Sequence, residues 1–341
     1  MSSNVLVAKN IKDFALQIPQ EEIYTYVDVG AMGGVSRKWN ALIESIQIIG
    51  FDPDERDSEK FKKGQGMHFL NYALYEHSTD LSFYITKEAR RSSLYPPNDV
   101  VLAQFPQAER FKIDKIVPLS CEKVKALEWI AREYKINCVD FMKIDTQGSE
   151  LSILKGASAL FPSMWGIEVE VEFLELYRGQ PLFRDVDSFL SSQGFQLIDL
   201  RRVFWKRNAD VEYFGKGQLV FADALYLKTF EALSSYLHSI SQAELRLTKI
   251  RKIVLTALIY RLFDYAQGVV SLGLKEGFLD TSQAEAFKRD IKSISSQGSL
   301  PDFLGRTQIY KALQRIASNL IPPSYLGFAD SDRLIGNGRN I

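Results

Sequence analysis

Cysteine and histidine are scarce in this chain, with two of the first and three of the second in 341 residues. Two thiols, Cys121 and Cys138, make no disulfide framework, and a reducing, cytoplasmic setting is the natural expectation. No His/Cys cluster has the spacing of a zinc site, and no order of Ser, His and Asp suggests a nucleophilic triad. An excess of charge is also missing. Lys plus Arg and Asp plus Glu each number 42, which argues against the basic footprint of a nucleic-acid binder. The first residues lack the charged and apolar regions of a secretory signal. One apolar stretch, 250–274, is long enough to suggest a membrane span. Arg251, Lys252, Arg261 and Asp264 interrupt it, so a buried helix is expected and no transmembrane segment.

What the sequence has is alternation. Strand patterns at 24–29, 47–51, 68–74, 81–85, 139–144, 166–171, 195–200 and 219–227 are separated by helical patterns at 36–45, 54–63, 122–134, 150–160 and 182–193. This predicts an α/β fold with parallel, right-handed β-α-β units. The last two strands have no helix between them, which predicts an antiparallel hairpin at the sheet edge. After a helical lead-in over 1–23, the α/β unit is expected to run to 228. The remainder, 229–341, reads as a helical extension with a loose tail, suited to a dimer interface, a lid or packing on the sheet. Ser241–Glu244 and Ser282–Glu285 each read as a capping box.

Two segments carry chemistry. In Tyr26-Val-Asp-Val-Gly-Ala-Met-Gly-Gly-Val-Ser36 an apolar strand ends in a glycine-rich turn, and in Ile48-Ile-Gly-Phe-Asp-Pro53 a second strand ends on Asp52. Gly30 and Gly33 let backbone approach a ligand, and an acid at Asp52 suits ribose hydroxyls. The spacing is not the G-x-G-x-x-G that seats a pyrophosphate, so the turn fits a nucleoside without phosphates, of which S-adenosylmethionine is the commonest cofactor. Asp28 is placed to brace the turn or meet the ligand. The third strand ends in Phe69-Leu-Asn-Tyr-Ala73, where Asn71, Tyr72 and Ala73 are candidates to contact a base. The second segment, Val139 to Gly156, puts Asp145 at the carboxyl end of a central strand, beside the crevice where open α/β sheets bind ligands. Glu150, in the first helical turn after it, reads as a dipole-compensating residue.

Lys143-Ile-Asp-Thr-Gln-Gly-Ser-Glu-Leu-Ser-Ile-Leu-Lys-Gly156, following Val27-Asp-Val-Gly-Ala, resembles the FkbM family of S-adenosylmethionine-dependent methyltransferases. Arg91-Ser-Ser-Leu-Tyr-Pro-Pro97, Ile167-Glu-Val-Glu170, Pro181-Leu-Phe183 with Asp187, and Gly194-Phe195 extend the likeness over about 24–227. The resemblance implies a Rossmann-like class I methyltransferase sheet that O-methylates sugars or polyketide-like hydroxyls, in polysaccharide or natural-product pathways. Met32 stands where the family usually carries Asn, and Ser120-Cys121-Glu122 replaces a common Leu-Asp.

Glu168, Glu170 and Glu172 alternate along one strand, so all three are expected on one face. Glu170 is the candidate general base, with Asp145 as its neighbour for orienting cofactor or, through a divalent cation shared by the two acids, activating a hydroxyl. Ser92 and Ser93 are placed to meet a cofactor carboxylate. His68 and His77 read as surface or packing residues. The leading function is therefore an O-methyltransferase for a small-molecule or glycan acceptor. The alternatives are a NAD-dependent oxidoreductase, since Asp52 would serve that ribose equally, and a cofactor-binding scaffold that recruits a partner through its C-terminal helices.

Overall fold

A computed structural model describes residues 3–31, 34–54, 66–208, 217–296, 303–320 and 326–327. Strands in chain order are β1 (Thr25–Val29), β2 (Gln47–Phe51), β3 (Met67–Leu70), β4 (Ala73–Leu74), β5 (Leu81–Thr86) and β6 (Ile113–Leu119). There follow β7 (Val124–Lys125), β8 (Phe141–Ile144), β9 (Gly166–Glu172), β10 (Phe195–Trp205), β11 (Gln218–Lys228) and β12 (Leu326–Gly327). Eight of them form one sheet in the order β12-β10-β11-β9-β8-β1-β2-β3. The run from β9 to β3 is parallel, with Val27 opposite both Ile49 and Met142. The expected hairpin is present, and its second strand, β11, inserts antiparallel between β9 and β10.

Central strands are apolar because both their faces are covered. On one face Val27, Val29, Met142, Ile144, Ile167 and Val169 pack with Ile153, Leu154, Val186 and Leu190 from the helices Glu150–Lys155 and Phe183–Ser192. On the other face Tyr24, Tyr26, Phe141, Trp165, Leu225 and Leu227 pack with Trp39 and with the helices after 229. The chief of these is Ala243–Ile259, followed by Phe263–Lys275 and Thr281–Ser295. The helical segment is thus the second layer of the sheet's own core.

That layer is needed because the local helices of this face are thin. The predicted helix at 36–45 is only a 3-10 turn, Arg37–Leu42, and the predicted helix at 54–63 falls almost wholly outside the described residues. The predicted strand at 68–74 divides. β3 joins the main sheet, whereas β4 pairs in parallel with β7, because Asn71 is drawn aside by bonds to the Asp52 turn. Neither predicted capping serine is an N-cap. Asp280 and Gln283 form the box at Thr281, and Gln242 precedes Ala243 without a side-chain cap.

Lys252, one of the charges that argued against a membrane span, lies in the core with no exposed surface and meets Asp140 at 2.9 Å. Asp140 also accepts the Thr25 N–H and the Trp165 indole N–H, each at 2.8 Å. Lys252 donates in addition to the Ile23 carbonyl. Burial pushes the Asp140 carboxyl up, and the Lys252 charge opposes that rise. Among the described residues no helix is long and apolar enough to cross a membrane. Lys252→Ala strands the Asp140 charge in the core and should cost about 3–5 kcal/mol in urea unfolding. Removing both charges together, as Asp140→Asn with Lys252→Met, should cost less than the single change. Additive losses would show that the pair is not coupled.

Candidate active site

Strands β1, β2 and β8 end together at one edge of the sheet. Gly30 leaves β1 with φ +79, and a Cβ built there would stand 1.9 Å from the Asp145 carbonyl oxygen, so only glycine lets these strand ends meet. The Gly30 N–H donates to the Phe51 carbonyl at 2.9 Å and the Asp145 N–H to that of Val29 at 3.0 Å. The junction opens into a cavity of about 510 Å³. Gly30, Asp52, Tyr72, Ala73 and Leu74 line it from the β1–β4 side, and Glu170, Arg201, Val203 and Phe221 from the β9–β11 side. Asp145, Thr146 and Gln147 form the wall between. This volume suits a small-molecule site.

The predicted cofactor residues separate into those on the wall and those behind it. Gly30, Asp52, Ala73 and Asp145 are on it. Asp52 is buried, and its Oδ1 accepts the Asp54 N–H at 2.8 Å. Asn71 stands behind, its amide donating to the Asp52 and Pro53 carbonyls at 3.1 and 3.2 Å while its Oδ1 accepts from Lys123. It braces the turn that carries Asp52. Ser93 is buried with its hydroxyl donated to the Gln147 carbonyl at 2.6 Å, so its neighbour Ser92 takes the place on the wall. Asp28 is not on the wall and shares a face of β1 with Tyr26. Its Oδ1 has no hydrogen-bond partner, and Lys143 Nζ stands 3.8 Å from both Asp28 and Asp145. Burial lifts the Asp28 carboxyl to about 6 against the pull of Lys143. Gly33 lies outside the described residues. His68 and His77 are exposed and off the wall.

The three glutamates of β9 have three different environments. Glu168 accepts from Lys38 at 3.2 Å and from the Tyr260 hydroxyl at 2.7 Å. Burial alone would raise its carboxyl, but Lys38, Lys143 and Tyr260 together bring it below the usual range. Glu170 lines the cavity, and burial followed by the charge of Asp145 pushes it well above the usual range. Glu172 is buried with Oε1 unpartnered, and burial, with Glu150 and Glu170 near, raises it too. Glu150 is bonded by the Thr146 and Gly148 N–H groups, which ties down the turn after β8.

Gln147 joins these acids, and sequence reasoning gave it no role. Its Nε2 donates to Asp145 Oδ1 at 2.9 Å and to Glu170 Oε1 at 2.6 Å. Its Oε1 accepts from Arg91 at 3.1 Å, with the Tyr177 hydroxyl also 3.1 Å away. Its φ of +61 is unusual for a residue other than glycine, a strain of the kind that accumulates at functional sites. The amide stands between Asp145 and Glu170, where a shared cation was an alternative expectation. Among the described residues no group of three or more His, Cys, Asp or Glu side chains could hold a metal ion.

A mostly parallel sheet with an inserted antiparallel strand, and with glycine and aspartate at the ends of β1 and β2, defines a class I methyltransferase fold. Residues 28–197 match the model of the methyltransferase FkbM domain. The chain therefore carries an S-adenosylmethionine-dependent methyltransferase domain of the FkbM family. No curated protein matches its sequence. A solved magnesium protoporphyrin IX methyltransferase from Synechocystis PCC 6803, with bound SAM, is 12% identical, with 67% of this chain and 78% of that one covered at a TM-score of 0.32. A putative RNA methyltransferase from Pyrococcus horikoshii is 12% identical, with 65% and 81% covered at a TM-score of 0.26.

Glu172, buried with Oε1 unpartnered, gives a test of these electrostatics. A carboxyl raised in the folded state favours folding at low pH, and that contribution is lost as pH rises through the folded value. Glu172→Gln should therefore raise Tm at pH 8, with the gain shrinking towards pH 5 in a thermal-unfolding series. A gain that is constant with pH would contradict the assignment.

Proposed function

We propose that this chain is an O-methyltransferase whose acceptor hydroxyl docks against Glu170, and that the acceptor is a sugar, glycan or natural-product-like small molecule. The observation carrying this reading is Glu170 itself. It is a buried carboxyl, fixed by Gln147 at 2.6 Å, in the same cavity as Asp52. S-adenosylmethionine, when bound, supplies a methyl group on a cationic sulfur. The chain's residues fit it, since Gly30 admits backbone contact at the strand ends and Asp52 offers a buried carboxylate to ribose hydroxyls. Glu170 accepts the hydroxyl proton as the oxygen attacks. Its raised affinity for protons makes it a stronger base than an ordinary carboxylate. Asp145, bonded to the same Gln147 amide, orients rather than abstracts. Catalysis is assigned to residues up to 228, and 229 onward is read as the layer behind the site.

Two substitutions separate binding from turnover. Asp52→Ala should weaken S-adenosylmethionine binding in calorimetry by about 1–3 kcal/mol, the cost of unmade charged hydrogen bonds. Unchanged affinity would remove its ribose role. Glu170→Gln should lower methyl transfer from labelled S-adenosylmethionine to a screened set of hydroxylated acceptors by about 10²-fold or more, with cofactor affinity unchanged. The wild-type rate should fall as pH drops through the raised Glu170 value, at higher pH than for an ordinary carboxylate. Cofactor binding without turnover on any acceptor would favour the scaffold, and binding of NAD alone would favour the oxidoreductase.

A further inference from the structure

Among the described residues no acid is ion-paired with Arg91, a half-buried cation on the cavity wall. Its guanidinium carbon lies 5.8 and 5.7 Å from the ring centres of Phe111 and Phe221, and Phe221 belongs to the β9–β11 side of that wall. Arg91 Nη1 donates to Gln147 Oε1 at 3.1 Å. Two carboxylates are nevertheless close by. Asp145 and Glu170 occupy the Nε2 end of the Gln147 amide, while Arg91 occupies its Oε1 end. The amide therefore stands between the acids and the cation and keeps them from pairing. Arg90, exposed and on the same wall, is likewise without an ion pair among the described residues.

We propose that Arg91 binds an anionic group of the acceptor, so that the molecule methylated carries a carboxylate or a phosphate besides its hydroxyl. The proposal rests on the reading of Glu170 as the base that meets that hydroxyl. A guanidinium partly withdrawn from water is costly without a countercharge, and a ligand anion supplies one. Lying near two aromatic rings, it is ordered before the ligand arrives, and its fork matches paired oxygens of a carboxylate or phosphate. Position selects the acceptor over the cofactor. Gly30 and Asp52, the residues suited to S-adenosylmethionine, stand at the ends of β1 and β2. Arg91 instead neighbours Phe221 of β11 and bonds the amide that fixes Glu170. Arg201 serves the same wall differently. It stands opposite Asp223, which stands opposite Glu170, in one row across β10, β11 and β9. Asp223 meets its charge, so the countercharge for an anion comes from Arg91, with Arg90 beside it.

The test is calorimetry on the full chain saturated with S-adenosylhomocysteine, which keeps the cofactor's own carboxylate position filled. The probes are matched sets: methyl glucoside, methyl glucuronide and a glucose phosphate, and catechol with its carboxylate, protocatechuate. An anionic member should bind about 10- to 100-fold more tightly than its neutral partner, the range of hydrogen bonds to a charged group. The glucuronide and phosphate arms distinguish the two anions. Arg91→Leu should abolish the preference while S-adenosylhomocysteine affinity holds, and Arg91→Lys should keep part of it, as a charge without the fork. No preference for the anion in any set would overturn the proposal, and that arm needs no variant to fold. Weakened S-adenosylhomocysteine binding by Arg91→Leu would also overturn it, by giving Arg91 to the cofactor. Methyl transfer from labelled S-adenosylmethionine to the same sets tests the underlying reading separately. Anion-selective binding without turnover supports the Arg91 site and removes O-methylation, whereas equal turnover of charged and neutral members overturns the Arg91 site and leaves Glu170 its role.

Discussion

The buried pair of Lys252 and Asp140 is the contact on which both layers of this molecule depend. Two charges in a solvent-free core are tolerable only when their remaining hydrogen-bonding capacity is also met. Here β1 supplies an N–H, Trp165 an indole N–H and Ile23 a carbonyl. The arrangement fixes the helix Ala243–Ile259 against the amino ends of the central strands. About two turns further along, Tyr260 stacks on Phe141, the first residue of β8, and donates to Glu168 of β9. A helical segment that reads in sequence as an extension is therefore pinned to the sheet at two points, Asp140 and the Phe141–Glu168 pair.

That pinning bears on the site through β9. Glu168 is held in its charged form from behind by the Lys38 ammonium and the Tyr260 hydroxyl, whereas Glu170, two residues along the same strand, meets the cavity and the Gln147 amide. A group next to a cation favours its charged form, and a buried group beside another carboxylate favours its neutral form. The strand thus carries two glutamates pushed in opposite directions. The molecule keeps Asp145 and Glu170 close by placing one amide between them. Arg91 and Tyr177 fix the other end of that amide.

Some expected binding residues turn out to be supports. Asn71 and Ser93 each make short bonds to backbone, holding the Asp52 turn and the Gln147 turn. Their hydroxyl and amide groups are of the types that bind ligands, and the same groups are good at closing irregular turns. Sequence offers nothing to tell the two uses apart, because the deciding carbonyls lie 18 to 54 residues away.

The sequence by itself determined the alternating α/β plan, the edge hairpin, and the glycine and aspartate positions at strand ends. These follow from local rules, since apolar runs make buried strands and a turn with positive φ selects glycine. It also contained the FkbM-type block around Asp145. Only the tertiary structure decided that Asp28 stays off the cavity wall, that Gln147 links the acids, and that the three alternating glutamates of β9 meet different surroundings. It decided as well that the C-terminal helices form a layer of the sheet's core. Each of these depends on contacts between distant segments, where burial and charge are set by what packs opposite and no local pattern records the partner.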